Sequence, residues 1–163
     1  MVAWLLRGVS MSVVHVVARV LLGLAIVHAP LQGTYWKTIA VAVVVLIAII
    51  WGGIDGIADG RAHDDPEDYD DLTIRWLKAG LFTGVVSAII CWALSNYAIA
   101  GMGQNSIFVE LFAGGSFTTL LVFIPALVGA ALGRFLARRQ RNKNAKRDDN
   151  GAETAQRQTA DSH

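Results

Sequence analysis

The stretch Lys37–Ile90 reads "KTIAVAVVVLIAIIWGGIDGIADGRAHDDPEDYDDLTIRWLKAGLFTGVVSAII". Its two ends are greasy, and residues 38–54 carry no charge. Eight acidic residues then fall between Asp55 and Asp71, and no further charge follows from residue 79 through residue 109. A helix needs about 20 apolar residues to cross a hydrocarbon core roughly 30 Å thick. Two spans joined by a carboxylate-rich connection satisfy that length. Working outward, Arg19 is the only formal charge between Gly8 and Trp36, and residues 111–133 carry none. Four spans are therefore expected, near 8–28, 36–56, 77–99 and 110–133. The composition agrees: 54% hydrophobic and 17% charged residues, with a mean hydropathy of +0.47, leave too little polar surface to cover a soluble domain of 163 residues. The expected fold is all-α, a polytopic membrane protein built as a four-helix bundle.

The first span is too long for a signal-peptide core, and Arg7, His15 and Arg19 interrupt it, so it is expected to be retained. Cys91 is the single cysteine and falls inside the third span, which leaves no intrachain disulfide. It is read as a small buried hydrophobe.

Four spans put both termini on one side, and Lys and Arg near span ends decide which side that is. Eleven basic residues, Arg7, Arg61, Arg75, Lys78, Arg134 and the run from Arg138 to Arg147, share the side of the termini; Lys37 alone lies opposite. The termini and the 57–75 loop are thus expected in the cytoplasm of a bacterial plasma membrane. Trp4, Trp51 and Trp76 would mark the inner interface, and Tyr35, Trp36 and Tyr97 the outer one.

Placed there, the acidic loop is expected to be a solvated connection, with a divalent-cation or partner-docking site as the weaker alternative. "DDPEDYDDL" lacks the spacing and glycine of a calcium loop. His63 has no companion His or Cys for zinc. Pro66 breaks any helix within the loop, and Asp71 and Arg75 are spaced to pair as span three begins. The tail 138–163 has no large apolar residue and is expected to be disordered. Its basic residues Arg138, Arg139, Arg141, Lys143, Lys146 and Arg147 would lie against anionic lipid.

Within the bilayer, helices associate through close backbone approach. Span three offers Gly80, Gly84 and Ala88, and span four Gly129 and Gly133, as packing faces. On span one Gly8, Ser12, His15, Arg19 and Gly23 share a side. The second span shows no such stripe. Arg19 falls roughly 18 Å beyond Arg7, near the midplane, where an arginine costs on the order of 2.5–3.5 kcal/mol. No acid matches its depth: Asp55 belongs to the inner end of span two and Glu110 to the outer end of span four. Ser12, His15, Arg19, Thr83 and Ser87 then form a candidate polar pocket for an anion or headgroup. The alternative is an arginine satisfied by backbone carbonyls and hydroxyls. Pro125 predicts a kink in span four. Asp55 and Asp59, at i,i+4, sit at the cytoplasmic mouth.

No Ser/His/Asp, Cys/His or paired-acid constellation shares one depth, so catalysis is not expected. Nor does the sequence call for a cofactor, a metal or a nucleic-acid partner; His15 and His28 lie on one helix and do not form an axial haem pair.

The segments "WLLRG" (4–8), "WGGIDG" (51–56), "LTIRWLKAGLFTGVVS" (72–87) and "FTTLLVFIPALVGAALGRFL" (117–136) resemble those of the actinobacterial, mycobacterial-type four-transmembrane-helix drug/metabolite transporter-like family. The resemblance spans about residues 3–137. It implies a small inner-membrane transporter but carries over no substrate and no catalytic residue. Arg19 stands in a first span where small multidrug exporters of similar topology carry a glutamate, and the charge asymmetry favours one fixed orientation. Two functions are therefore expected, in this order: transport by a homo-oligomer with a pocket at Arg19, or an accessory subunit of a larger respiratory or cell-envelope complex.

Overall fold

A computed structural model describes residues 3–63, 69–97 and 106–160. Residues 1–2, the centre of the acidic loop (64–68, with Pro66), the connection 98–105 and residues 161–163 lie outside the described residues. Every regular element among the described residues is helical. Helix α1 covers Ala3–His28 and α2 covers Gly33–Ala62, with a single 3-10 turn, Pro30–Gln32, between them. Helix α3 covers Leu72–Tyr97. The last span opens with a short α4, Ile107–Val109, passes through a π-helical segment, Glu110–Gly115, and continues as α5, Ser116–Ala160. Four lengths, Ala3–His28, Pro30–Ala62, Leu72–Tyr97 and Ile107–Arg147, are long and apolar enough to cross a membrane, with mean hydropathies of 1.8 to 2.4. That is the make-up of a multi-pass membrane protein.

The boundaries follow local chemistry. Pro30 has no N–H and forces Ala29 out of the helical region, to φ −139°. Asp71 opens α3 by accepting the Ile74 amide at 3.0 Å, an N-cap bond, and Ser106 does the same for Val109. Asp71 is thus a cap, whereas Arg75, expected to pair with it, instead meets Asp70 at 2.8 Å. Helix α2 runs on to Ala62, so Asp59, expected in the 57–75 loop, lies within the same helix as Asp55. Helix α5 likewise continues to Ala160, through most of the segment expected to be an unstructured tail.

The packing is small inside and large outside. Ala48, Ala79, Ala126 and Ala130 are buried, while Leu21, Leu46, Leu81 and Leu132 face outward. Water would not tolerate that pattern, but lipid does, because helices in lipid gain by approaching closely rather than by hiding apolar surface. Helix α1 lies against α2 and α3, and α5 against α2 and α3. Chain direction makes α1/α3 and α2/α5 the parallel pairs.

The most extensive contact is between α2 and α5. A Cβ on Gly52 would strike the Ala126 carbonyl oxygen, and one on Gly56 the Ala130 carbonyl oxygen. Reciprocally, a Cβ on Gly129 would strike the Ile49 carbonyl oxygen and one on Gly133 that of Gly53. Residues 77 apart (49 and 126, 52 and 129, 53 and 130, 56 and 133) therefore do the same work on the two helices. The contact is locally self-complementary, backbone against backbone. It also corrects the expectation that the second span lacks a small-residue stripe: Gly52, Gly56 and Gly60, inside the stretch quoted first, are that stripe.

Helices α1 and α3 repeat a pattern too. Trp4 and Trp76 are 72 residues apart, and the same offset pairs Gly8, Met11, Ser12 and His15 with Gly80, Thr83, Gly84 and Ser87, all buried. Val9 with Leu81 and Val13 with Val85 share the outward face. One helical-hairpin pattern is written twice in the chain.

Candidate functional site

Three carboxylates within or at the ends of the spans are paired. Arg7 on α1 holds Asp55 on α2 in a two-pronged contact, Nε to Oδ2 and Nη2 to Oδ1, each at 2.6 Å, with both side chains largely buried. One helical turn on, Asp59 is 6% exposed and accepts from Arg134 Nε at 2.7 Å and from the Asp70 amide at 3.1 Å. Arg134 also reaches the Asp70 carbonyl, and Arg138 donates to the Tyr69 hydroxyl at 2.9 Å. Both arginines stack over the Tyr69 ring, at 4.8 and 5.2 Å. Arg141 donates to the Gly60 and His63 carbonyls. The described ends of the acidic loop are therefore tied to α5 by its arginines. Of the expected basic cluster, Arg138 and Arg141 are spent here, while Arg139, Lys143, Lys146 and Arg147 stay exposed. Asp55 and Asp59 are clamp residues, not a free mouth.

At the opposite end of the bundle Arg19 meets Glu110, Nη2 to Oε1 at 2.8 Å. No acid was expected at the depth of Arg19, yet the structure brings Glu110 into contact with it. Counting residues placed Glu110 a full half-span away, but the π-helical segment starts at Glu110 and both side chains are long. Glu110 is 7% exposed. π-helical segments occur frequently at functional sites, and this one carries the buried acid.

The five-residue polar pocket expected from the sequence does not form as one site. Ser12 Oγ donates to the Gly8 carbonyl, Ser87 to the Thr83 carbonyl, and Thr83 Oγ1 lies 2.8 and 3.1 Å from the Ala79 and Gly8 carbonyl oxygens. These three hydroxyls are consumed by helix backbone in the α1–α3 contact. Gly80 and Gly84 abut Thr119 and Gly115, with Ala88 beside Gly115, so the α3 stripe packs against the last span. Gly129 and Gly133 pack against α2. Pro125 lies inside α5, where its missing N–H leaves the Leu121 carbonyl without an i+4 donor.

His15 and Arg19 do share a site. Between α1 and α2, floored by α5, lies a groove of about 520 Å³. His15, Arg19 and Lys37 are its polar lining, and Leu22, Val41 and Leu121 are among its apolar walls. That volume is within the usual range of small-molecule sites. Lys37, which the sequence marks only as a topology signal, is exposed and has no ion-pair partner among the described residues. His15 is 6% exposed; its Nε2 meets Thr118 Oγ1 at 3.1 Å, and its Nδ1 has no partner. The α3 counterparts of His15 and Arg19, 72 residues on, are Ser87 and Cys91. The repeated pattern is thus broken where the cationic groove lies. Among the described residues no group of three His, Cys, Asp or Glu side chains is placed to hold a metal.

No protein-family model matches the sequence, and no curated protein is significantly similar to it.

Proposed function

We propose that this chain is a small integral membrane transporter whose binding element is the groove at His15, Arg19 and Lys37. The observation that carries the proposal is the groove itself, an open cavity with Arg19, from a length apolar enough to cross a membrane, on one wall. Intramembrane ionisable residues generally mark substrate pathways. The doubled hairpin pattern supports the same reading, since transporters are commonly built from repeats. So does the likeness of the segments at 4–8, 51–56, 72–87 and 117–136 to the four-helix transporter-like proteins. In this proposal the chain sits in a bacterial plasma membrane with both termini cytoplasmic, by the eleven-to-one charge bias. It acts as a homo-oligomer, and the exposed face of Arg139, Lys143, Lys146 and Arg147 rests on anionic headgroups. The test is uptake of carboxyfluorescein, a small organic anion, into vesicles reconstituted with the full chain. Saturable uptake that is lost in Arg19→Leu is expected; uptake no faster than in protein-free vesicles contradicts the proposal.

The α2–α5 contact favours a second reading, an accessory subunit of a larger membrane complex. Backbone-to-backbone packing, with Asp59 of α2 ion-paired to Arg134 of α5, makes a rigid block suited to docking. Stoichiometric isolation with one larger complex in mild detergent would select it.

A further inference from the structure

We infer that the α1–α2 groove binds a phosphate-headed amphiphile bearing a free hydroxyl. Three observations define the headgroup. Arg19 is ion-paired with Glu110 through Nη2, and its remaining guanidinium N–H groups have no acceptor among the described residues. Lys37 stands at the same groove with no counter-charge, so the lining carries a surplus cation. Guanidinium and ammonium together suit the several oxygens of a phosphate. The third observation fixes the hydroxyl. Thr118 Oγ1 donates its only hydrogen to the Gly114 carbonyl at 2.8 Å, so it accepts from His15 Nε2–H at 3.1 Å. Nδ1 of His15 is then a bare acceptor, buried and unpartnered, and it calls for an O–H donor. The Leu121 carbonyl freed by Pro125 is a second acceptor without a helix donor.

The walls define the rest. Leu22, Ile26, Val41 and Phe117 offer apolar surface continuous with the lipid-facing side of the bundle, where an acyl chain remains in hydrocarbon while the headgroup reaches Arg19. A free anion would gain nothing from those walls. The assignment names the ligand class for the groove on which the transport proposal rests. It is tested by binding in detergent, where no transport occurs, so either can fail alone.

The experiment is native mass spectrometry of the full-length protein in mild detergent, titrated with lysophosphatidic acid, a single-chain phosphate monoester with one glycerol hydroxyl. Lysophosphatidylcholine, whose phosphate is offset by a cation, is the control. A one-to-one adduct with the former at concentrations that give none with the latter is expected. Lys37→Gln should weaken it roughly tenfold, the cost of one charge-assisted hydrogen bond. Val41→Trp, which fills the groove from its open side, should abolish it. Equal binding of the two lipids, or unchanged binding by both variants, would overturn the assignment. Displacement of the probe by millimolar inorganic phosphate would overturn its acyl-chain half and give the cations to free phosphate. Both variants alter exposed side chains, and an unchanged unfolding temperature separates lost binding from lost fold.

Discussion

Gly56 of α2 and Gly133 of α5 occupy equivalent places in one self-complementary contact: each lies where a methyl group would collide with the other helix's backbone, at the carbonyls of Ala130 and Gly53 respectively. Backbone moves less readily than a side chain, so the collision is relieved only by separating the helices. Gly56→Ala and Gly133→Ala should each destabilise the bundle by an amount toward the top of the ~1–3 kcal/mol range for overpacking. Gly53→Ala, whose Cβ would meet the Gly129 carbonyl oxygen at an ordinary 3.6 Å, should cost far less. Thermal unfolding of the three variants in detergent checks the ranking; equal losses would contradict the packing.

Arg7 and Asp55 form an ion pair in which both side chains are largely buried, with 14% and 10% exposed. Removing one partner strands the other. Asp55→Asn should cost about 3 kcal/mol, the lower end for breaking a buried pair, and the exchange Arg7→Asp with Asp55→Arg should recover part of it. A double-mutant cycle on unfolding free energies measures the coupling.

Asp59 holds a helix and a loop together, since it accepts from both Arg134 and the Asp70 amide. Asp59→Asn should therefore raise hydrogen exchange at residues 69–72 more than at residues 44–52 of the same bundle. Uniform change across both segments would mean that Asp59 supports the fold as a whole and does not specifically pin the loop.

Glu110 is the counter-charge of Arg19, and its loss leaves that partly buried arginine without one. Glu110→Leu should be more destabilising than the double variant Arg19→Leu with Glu110→Leu, because replacing both members of a buried pair by apolar groups is often neutral. The reverse order in unfolding temperature would contradict a direct pairing.

Much of this architecture was legible in the sequence. The uncharged runs gave four spans, and Gly80, Gly84, Gly129 and Gly133 gave packing faces that the structure uses. The α2 stripe at Gly52, Gly56 and Gly60 has a period of four as well, but Asp55 and Asp59 interleave with it and mask it as a charged segment. Side-chain reach defeated the rest. Depth counting treats each residue as a point on its helix, so it separated Arg19 from Glu110, although two long side chains and a π-helical segment bring them to 2.8 Å. It also grouped Ser12, Thr83 and Ser87 with His15 by level alone. A one-letter pattern does not distinguish a hydroxyl turned onto its own helix backbone from one facing a cavity. In the sequence Lys37 is only a charge on the side opposite the termini; its place on the groove depends on α1 and α2 packing side by side.

The groove is the centre of the account, and cysteine accessibility tests it most directly. In a Cys91→Ala background, Val41→Cys on the groove and Val43→Cys two residues on give side chains of similar exposure, 39% and 44% in the native residues. The full-length protein in lipid vesicles is treated with a charged, membrane-impermeant thiol reagent on either side, and the labelling rates are compared. A polar groove predicts rapid modification of Val41→Cys, slow modification of Val43→Cys, and protection of the former by lysophosphatidic acid. Equal rates at the two positions would mean that lipid alone lines both, and that the groove is packing rather than a site.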